Sequence, residues 1–414
     1  MKIIEIYGTI IHILMLKKLN GGFFMFRKTS KFISVIMAAL MIAGIFAVSS
    51  FAATSEEVDT HLQFNEDGEF KIMQVTDLQD GSPMKLITKN LLKKAIETLN
   101  PDLIVLTGDN INTTAGKSST YAWAINEFMS IFEGYGIPVT AVFGNHDAEG
   151  KNSRADQMKV YEKYDCFIGC AGEDMGNYTS GTYYVPLYSS ADAEDMVFNL
   201  WMMDSGDYNK ENDLGGYAAL SLPQIEWYKA KEAELAEKNG EVVPSLVFQH
   251  IVVPEIFDAL EVADEETGTC SNGDKYYKLP EGATGVLPEY PCPPSYNNGE
   301  FDAFYENGNV LGMFFGHDHL NTYVVDYKGV KLCNTPGTGF ASYDGVNAGV
   351  RTITLNENDL STFETEVVTY LELFEGDEMG LALFDLVSDS TDTLTKISGF
   401  FRYLMALVKS FIPV

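Results

Sequence analysis

From residue 69 onward, short apolar runs alternate with amphipathic stretches, and five of the apolar runs end in a polar phrase carrying Asp, Asn or His. The phrases are Thr76-Asp77-Leu78-Gln79, Gly108-Asp109-Asn110, Gly144-Asn145-His146-Asp147, Gln249-His250 and Gly316-His317-Asp318-His319. Apolar runs this short read as buried strands. They cover 70–75, 103–106, 138–143, 197–203, 245–248, 310–315, 323–327, 330–332 and 351–355, with helices over 83–99, 121–133, 154–164 and 221–237. Strands alternating with helices and then closing with strands predict a layered α/β fold with helices outside.

Asp and His are poor core residues and good ligands for a divalent cation. A lone Gly-Asp or a lone His at a strand end is ordinary turn chemistry; five such phrases in order read as one metal site. Asp109 follows a buried run and a glycine, so its carboxylate can bridge two cations. Asp77 and Asn145 stand at equivalent exits, and His250, His317 and His319 add imidazole nitrogens. This mixed nitrogen and oxygen set fits Mn, Zn or Fe and excludes a thiolate site. Two such ions are the expected cofactors, and a pair of cations generates hydroxide near neutral pH.

The phrases resemble those of the calcineurin-like metallophosphoesterase superfamily and, more narrowly, its purple-acid-phosphatase-like (Dcr2-type) branch. The likeness spans about residues 69–356 and takes in Pro294-Ser295-Tyr296-Asn297-Asn298-Gly299 and Gly316 to Asn321. The resemblance implies a four-layer αββα sandwich of two mixed β-sheets flanked by helices. It implies that Asp77, Gln79, Asp109 and His319 hold one metal, and Asp109, Asn145, His250 and His317 the other. It further implies that His146 touches the phosphoryl and leaving-group oxygens, with Asp147 orienting it. Two positions depart from the family. Gln79 stands where histidine is usual, a weaker donor that Asp80 could displace. Asn112 replaces the tyrosine of the purple enzymes, so no purple ferric centre is expected.

The N-terminal region predicts export. Arg27, Lys28 and Lys31 precede an uncharged apolar stretch over 32–48, and Ser50-Phe51-Ala52 offers a cleavage exit, with Met25 as the natural start. A retained membrane anchor is the rival reading. The protein is thus expected to be secreted or at the cell surface. Five cysteines include two pairs that spacing permits, Cys166 with Cys170 and Cys270 with Cys292, leaving Cys333 alone.

The domain reading is an export signal over 1–52, a catalytic domain over 54–375 and an amphipathic helical tail over 376–414. Residues 254–308, rich in Gly, Pro, Asn and acids, form a substrate-side insertion of long-loop character. In the tail, Leu394, Ile397, Phe401, Leu404, Val408 and Phe411 follow helical spacing, with Lys396, Arg402 and Lys409 off that face. Docking on the body, contact with a membrane surface and dimerisation are the three readings of that helix. The oligomeric state stays open.

A formal charge of −31 repels nucleic acid and other polyanions, so a small phosphoester is the expected partner. The expected activity is an exported metal-dependent phosphoesterase with a two-metal mechanism and metal-bound hydroxide as nucleophile. A catalytically idle metal-binding surface module and a phosphodiesterase for a small diester are the alternatives.

Overall fold

The computed structural model describes residues 61–111, 121–150, 152–173, 175, 180–210 and 213–410, within the unit Ser55–Val414. The segment read as an export signal, Asn112 and Phe411 lie outside them.

Five strands form one sheet: β1 (Glu69–Val75), β2 (Leu103–Thr107), β3 (Val139–Val142), β13 (Gly349–Asn356) and β14 (Glu364–Thr369), in the order β14-β13-β1-β2-β3. The second sheet has β4 (Tyr183–Tyr188), β5 (Met196–Met202), β6 (Ser245–Phe248), β10 (Val310–Phe315), β11 (Val324–Tyr327) and β12 (Val330–Asn334), ordered β11-β12-β10-β6-β5-β4. Each sheet mixes orientations. β1, β2 and β3 run parallel while β13 pairs antiparallel with β1, and β5, β6, β10 and β12 run parallel while β4 and β11 are antiparallel edges.

The period of two in each strand divides the side chains between two cores. Phe70, Ile72, Leu103, Val105, Leu246, Phe248 and Phe314 fill the space between the sheets. Their alternate neighbours Met73, Val75, Ile104 and Leu106 face the helices α1 (Leu86–Leu99), α2 (Tyr121–Tyr135) and α3 (Arg154–Tyr161). Val247, Met313 and Phe315 face α4 (Leu222–Asn239) across the other sheet. Helix, sheet, sheet, helix is the expected four-layer sandwich.

Residues 254–308 differ from the long loop read in the sequence. They hold α5 (Ile256–Ala259), a three-stranded sheet of β7 (Glu261–Ala263), β8 (Cys270–Asn272) and β9 (Lys275–Lys278), and α6 (Glu300–Tyr305). Leu287, Phe301 and Phe304 from this segment are buried in the core beneath α4. Its strands are only three or four residues long, too short for a period of two to stand out. The permitted disulfides do not form, and all five cysteines are free.

At the C-terminus, α7 (Tyr370–Leu373) and α8 (Glu378–Val387) complete the first helix layer, with Tyr370, Leu383 and Phe384 buried. The predicted tail helix is α9 (Thr393–Ser410), and it lies against α8 through a face other than the apolar one. Gly399 is its buried residue, and a Cβ there would meet Asp385 Cβ and the Leu386 nitrogen at 2.8 Å. Its three basic side chains reach acids of the body: Lys396 pairs with Asp389 at 3.9 Å, Arg402 with Asp385, and Lys409 with Glu378 at 3.0 Å. Leu394, Ile397, Phe401 and Val408 remain exposed. Among the described residues, no helix is long and apolar enough to cross a membrane.

Candidate metal centre

The five polar phrases meet at the C-terminal ends of β1, β2 and β3 in one sheet and of β6 and β10 in the other. Four of their residues have left-handed backbone: Asp77 at φ 49°, Gln79 at 39°, Asp109 at 48° and His317 at 70°. Such backbone costs roughly 1 kcal/mol or more per non-glycine residue, so packing from both sheets must hold it. The turns aim four side chains back into one space. Glycines allow the close approach. A Cβ on Gly144 would collide with the Asp109 carboxylate, and one on Gly316 with Thr76 Oγ1.

His250 and His319 are set by the same device. His250 Nδ1 lies 2.9 Å from the Thr107 carbonyl and His319 Nδ1 3.0 Å from the Tyr343 carbonyl. A carbonyl only accepts, so each Nδ1 carries the proton and each Nε2 keeps its lone pair for a cation. His250 Nε2 is 3.3 Å from Asp109 Oδ2 and 3.2 Å from Asn145 Oδ1, and His319 Nε2 is 3.2 Å from Asp77 Oδ1. Donor atoms of Asp109, His250 and His317 lie within 4.8 Å of one another. The Tyr343 ring stacks on His319 at 4.1 Å, and the Tyr217 ring meets His317 edge-on at 4.4 Å.

The electrostatics call for positive charge. Asp77 and Asp109 are fully buried, yet opposing imidazoles outweigh burial and hold both carboxyls below their usual range. Conversely, burial would lower His250 and His319, but with no cation between them the carboxylates push them up to about 10 and about 9, so a proton on each Nε2 stands where a cation would bind. Burial and the neighbouring His250 drive His317 down to about 3, which keeps it a neutral donor. Asp77 Oδ1 is buried without a hydrogen bond. A carboxylate oxygen without a hydrogen bond, beside two imidazole nitrogens that a cation would free of their protons, is what a cation would satisfy. The residues fit a metal centre built on Asp77, Asp109, Asn145, His250, His317 and His319.

Gln79 reaches this cluster differently from a ligand. Its Nε2 donates to Asp109 Oδ2 at 2.9 Å, so it meets the shared carboxylate as a hydrogen-bond donor. Asp80 does not compete for its place. That carboxylate turns to the start of α1, accepting from Gly81 N, Lys85 N and Thr88 Oγ1 at 2.9, 3.1 and 2.8 Å.

His146 stands at the mouth, its side chain 37% exposed and its Nε2 4.0 Å from Asp109 Oδ2. The expectation that Asp147 orients it is corrected by the geometry. Asp147 accepts from the backbone of Ile111 at 3.1 Å and of Gly144 at 2.8 Å, so it shapes the ligand loops instead. The group beside His146 Nδ1 is Glu149 Oε2, at 2.9 Å. No motif pointed to Glu149, Tyr208, Tyr217 or Tyr343; the i, i+3 offset of Glu149 from His146 was the one available signal.

A buried network sets the ligand strands in register across the two sheets. Arg351 Nε donates to Thr335 Oγ1 at 3.0 Å, Thr335 Oγ1 to Gln74 Oε1 at 2.6 Å, and Gln74 Nε2 to Thr107 Oγ1 at 2.9 Å. Thr107 is the residue whose carbonyl holds His250.

Residues 70–321 match the family described as Calcineurin-like phosphoesterase. Probable inactive purple acid phosphatase 14 of Arabidopsis thaliana is 30% identical over 321 residues, which is 69% of this chain and 74% of that protein. Phosphatase DCR2 of Saccharomyces cerevisiae is 24% identical over 358 residues, 78% of this chain and 58% of that protein. A dimetal phosphatase from Danio rerio aligns over 70% of this chain and 93% of its own at 14% identity, with a TM-score of 0.45.

Proposed function

Because this chain belongs to the calcineurin-like phosphoesterase family, on its purple-acid-phosphatase-like branch, we propose that it is an exported two-metal phosphoesterase acting on small phosphate esters. The observation that carries the reading is His146, an imidazole at the open side of the ligand cluster that is not itself needed as a ligand. Asp109 would be shared between two cations, with Asp77 and His319 completing one site and Asn145, His250 and His317 the other. When bound, the ions would activate a water and neutralise charge on the phosphoryl oxygens. His146 Nε2 then has one task. As the phosphorus–oxygen bond breaks, its electron pair goes to the leaving oxygen, which takes the proton from Nε2. The buried, fixed ligands require no reorganisation during turnover.

The substrate is a small ester, since the acidic body repels polyanions. Export rests on the basic-apolar-small pattern over residues 27–52. Contact of α9 with a membrane surface would use the exposed Leu394, Ile397, Phe401 and Val408, since its basic groups are already paired.

Gln79 favours a second reading, a catalytically idle module that keeps the metal fold, because it donates to Asp109 where a histidine would ligate. The word inactive in the name of the Arabidopsis relative points the same way. Assay of phosphomonoesters and small diesters with Mn, Zn, Fe and Mg decides between them. Hydrolysis lost on His146→Ala supports the enzyme; full metal occupancy with no turnover supports the idle module.

A further inference from the structure

We propose that Glu289 is a positioning residue for the metal ligand His319, holding its backbone with one carboxylate oxygen and its ring, through Tyr343, with the other; the proposal rests on the two-metal reading above. Tyr343 fixes the His319 ring twice. Its carbonyl accepts from Nδ1 at 3.0 Å, and its phenol ring lies parallel to the imidazole, 6° apart in plane with centroids 4.1 Å apart. Tyr343 itself stands in the irregular stretch between β12 and β13 and is 45% exposed, so packing alone does not hold its ring. Its hydroxyl donates to Glu289 Oε1 at 2.6 Å. The second oxygen, Oε2, accepts from the backbone nitrogen of Leu320, the residue after the ligand, at 2.9 Å.

Glu289 is well placed to act as a brace, because the chain around it is bonded along the ligand loop. Val286 N donates to Thr322 Oγ1 and Thr322 N to the Val286 carbonyl, both at 3.0 Å. Glu289 N donates to Asn321 Oδ1 and its carbonyl accepts from Asn321 Nδ2, again at 3.0 Å. Cys292 N donates to Asp318 Oδ1 at 3.2 Å. Gly285 opens this run at φ 81°, and a Cβ there would meet the Thr322 carbonyl oxygen at 2.3 Å, so the approach needs a glycine. The plain alternative is a surface tyrosine–glutamate pair that only pins a loop. Against it, the Tyr343 backbone has its own anchor one residue on, where Asp344 Oδ1 accepts from Asp389 N at 2.9 Å. The Glu289 contact is therefore left to fix the ring, and with it the direction in which His319 Nε2 faces Asp77.

The test titrates the whole chain, freed of metal by chelation, with Mn²⁺ alone, and repeats this for Glu289→Ala, Glu289→Gln and Tyr343→Phe. Glu289→Ala is expected to weaken one of the two ions by roughly 10–100-fold, the usual cost of losing a group that orients a ligand, and to leave the other unchanged. Glu289→Gln should recover most of the loss, since its amide oxygen can accept from Leu320 N while its NH₂ donates to the Tyr343 oxygen. Tyr343→Phe keeps the ring without the tether and should fall between. NMR of the chelated, histidine-labelled protein gives a readout independent of metal: the stacked tyrosine should shift the His319 ring protons upfield in the wild type, and Glu289→Ala should reduce that shift. Equal weakening of both ions, no weakening, or His319 signals identical in wild type and Glu289→Ala would overturn the proposal. A wild type that takes up a single ion would overturn the two-metal reading instead, and the His319 ring shifts would still decide the role of Glu289.

Discussion

Gln79 donates its amide hydrogen to Asp109 Oδ2 at 2.9 Å, so the carboxylate proposed to be shared by two cations already has one oxygen engaged by a neutral neighbour. Both residues sit on left-handed backbone at strand exits, which leaves them little freedom to part. Gln79→His should replace a donor with an imidazole lone pair and release that oxygen. The expected result is tighter binding at the Asp77–His319 site, read by competition against a metallochromic chelator. Unchanged affinity would show that position 79 does not face the metal.

Asp109→Asn should abolish simultaneous binding of two ions. Elemental analysis of the wild type under metal-replete conditions is expected to give two transition ions per chain, and of the variant one or fewer. Equal occupancy in the two proteins would remove Asp109 as the shared ligand.

His146→Ala should slow turnover by roughly 10²–10⁴-fold, the usual contribution of a placed acid–base group. Its metal content should not change, because Asn145 already serves the cluster from that loop. A metal-free variant would mean that His146 is a ligand after all.

Glu300 gives a pH-dependent stability. Burial pushes its carboxyl up to about 8 from an ordinary value of 4.5. Between those two values the folded protein binds the proton and the unfolded chain does not, so stability falls as pH rises through that window and levels off above it. Glu300→Gln removes the slope. Relative to wild type it should be more stable at pH 8.5 than at pH 5, by roughly 4 kcal/mol, in thermal or urea unfolding. A pH-independent difference would show that Glu300 is ionised in the fold.

Gly399→Leu should undock α9, because its backbone lies against Ala382, Asp385 and Leu386 with no room for a side chain. Hydrogen exchange over 393–410 is expected to accelerate while that over β1 and β2 does not. Unaltered protection would mean that the ion pairs alone hold the helix.

Much of this protein is legible in its order of residues. The runs 103–106 and 310–315 are strands because apolar stretches of that length are buried on both faces, and the polar phrases after such runs can be buried only when their side chains are paired or hold a cation. That contrast put Asp77, Asp109, Asn145, His250, His317 and His319 at strand exits before any coordinates. The rest depended on neighbours distant in sequence. β4 and β14 read poorly because β4 has only every second side chain buried and β14 has none buried, so neither shows an apolar run. The spacing of α9 left docking, membrane contact and dimerisation open, because an apolar stripe does not report what covers it, whereas α9 lies on α8 through Gly399 and ion pairs with acids elsewhere.

Residue types and spacing thus determined the layered α/β class and which donor side chains stand at the strand exits, since both follow from local burial and from the chemistry of single side chains. Only the tertiary structure decided how each is used. It turned Gln79 toward Asp109, sent Asp80 to the start of α1, gave Asp147 to the backbone and set Glu149 against His146. A carboxylate or amide of given identity can serve any of these roles, and the choice rests on which donor lies within 3 Å or so after two sheets have packed.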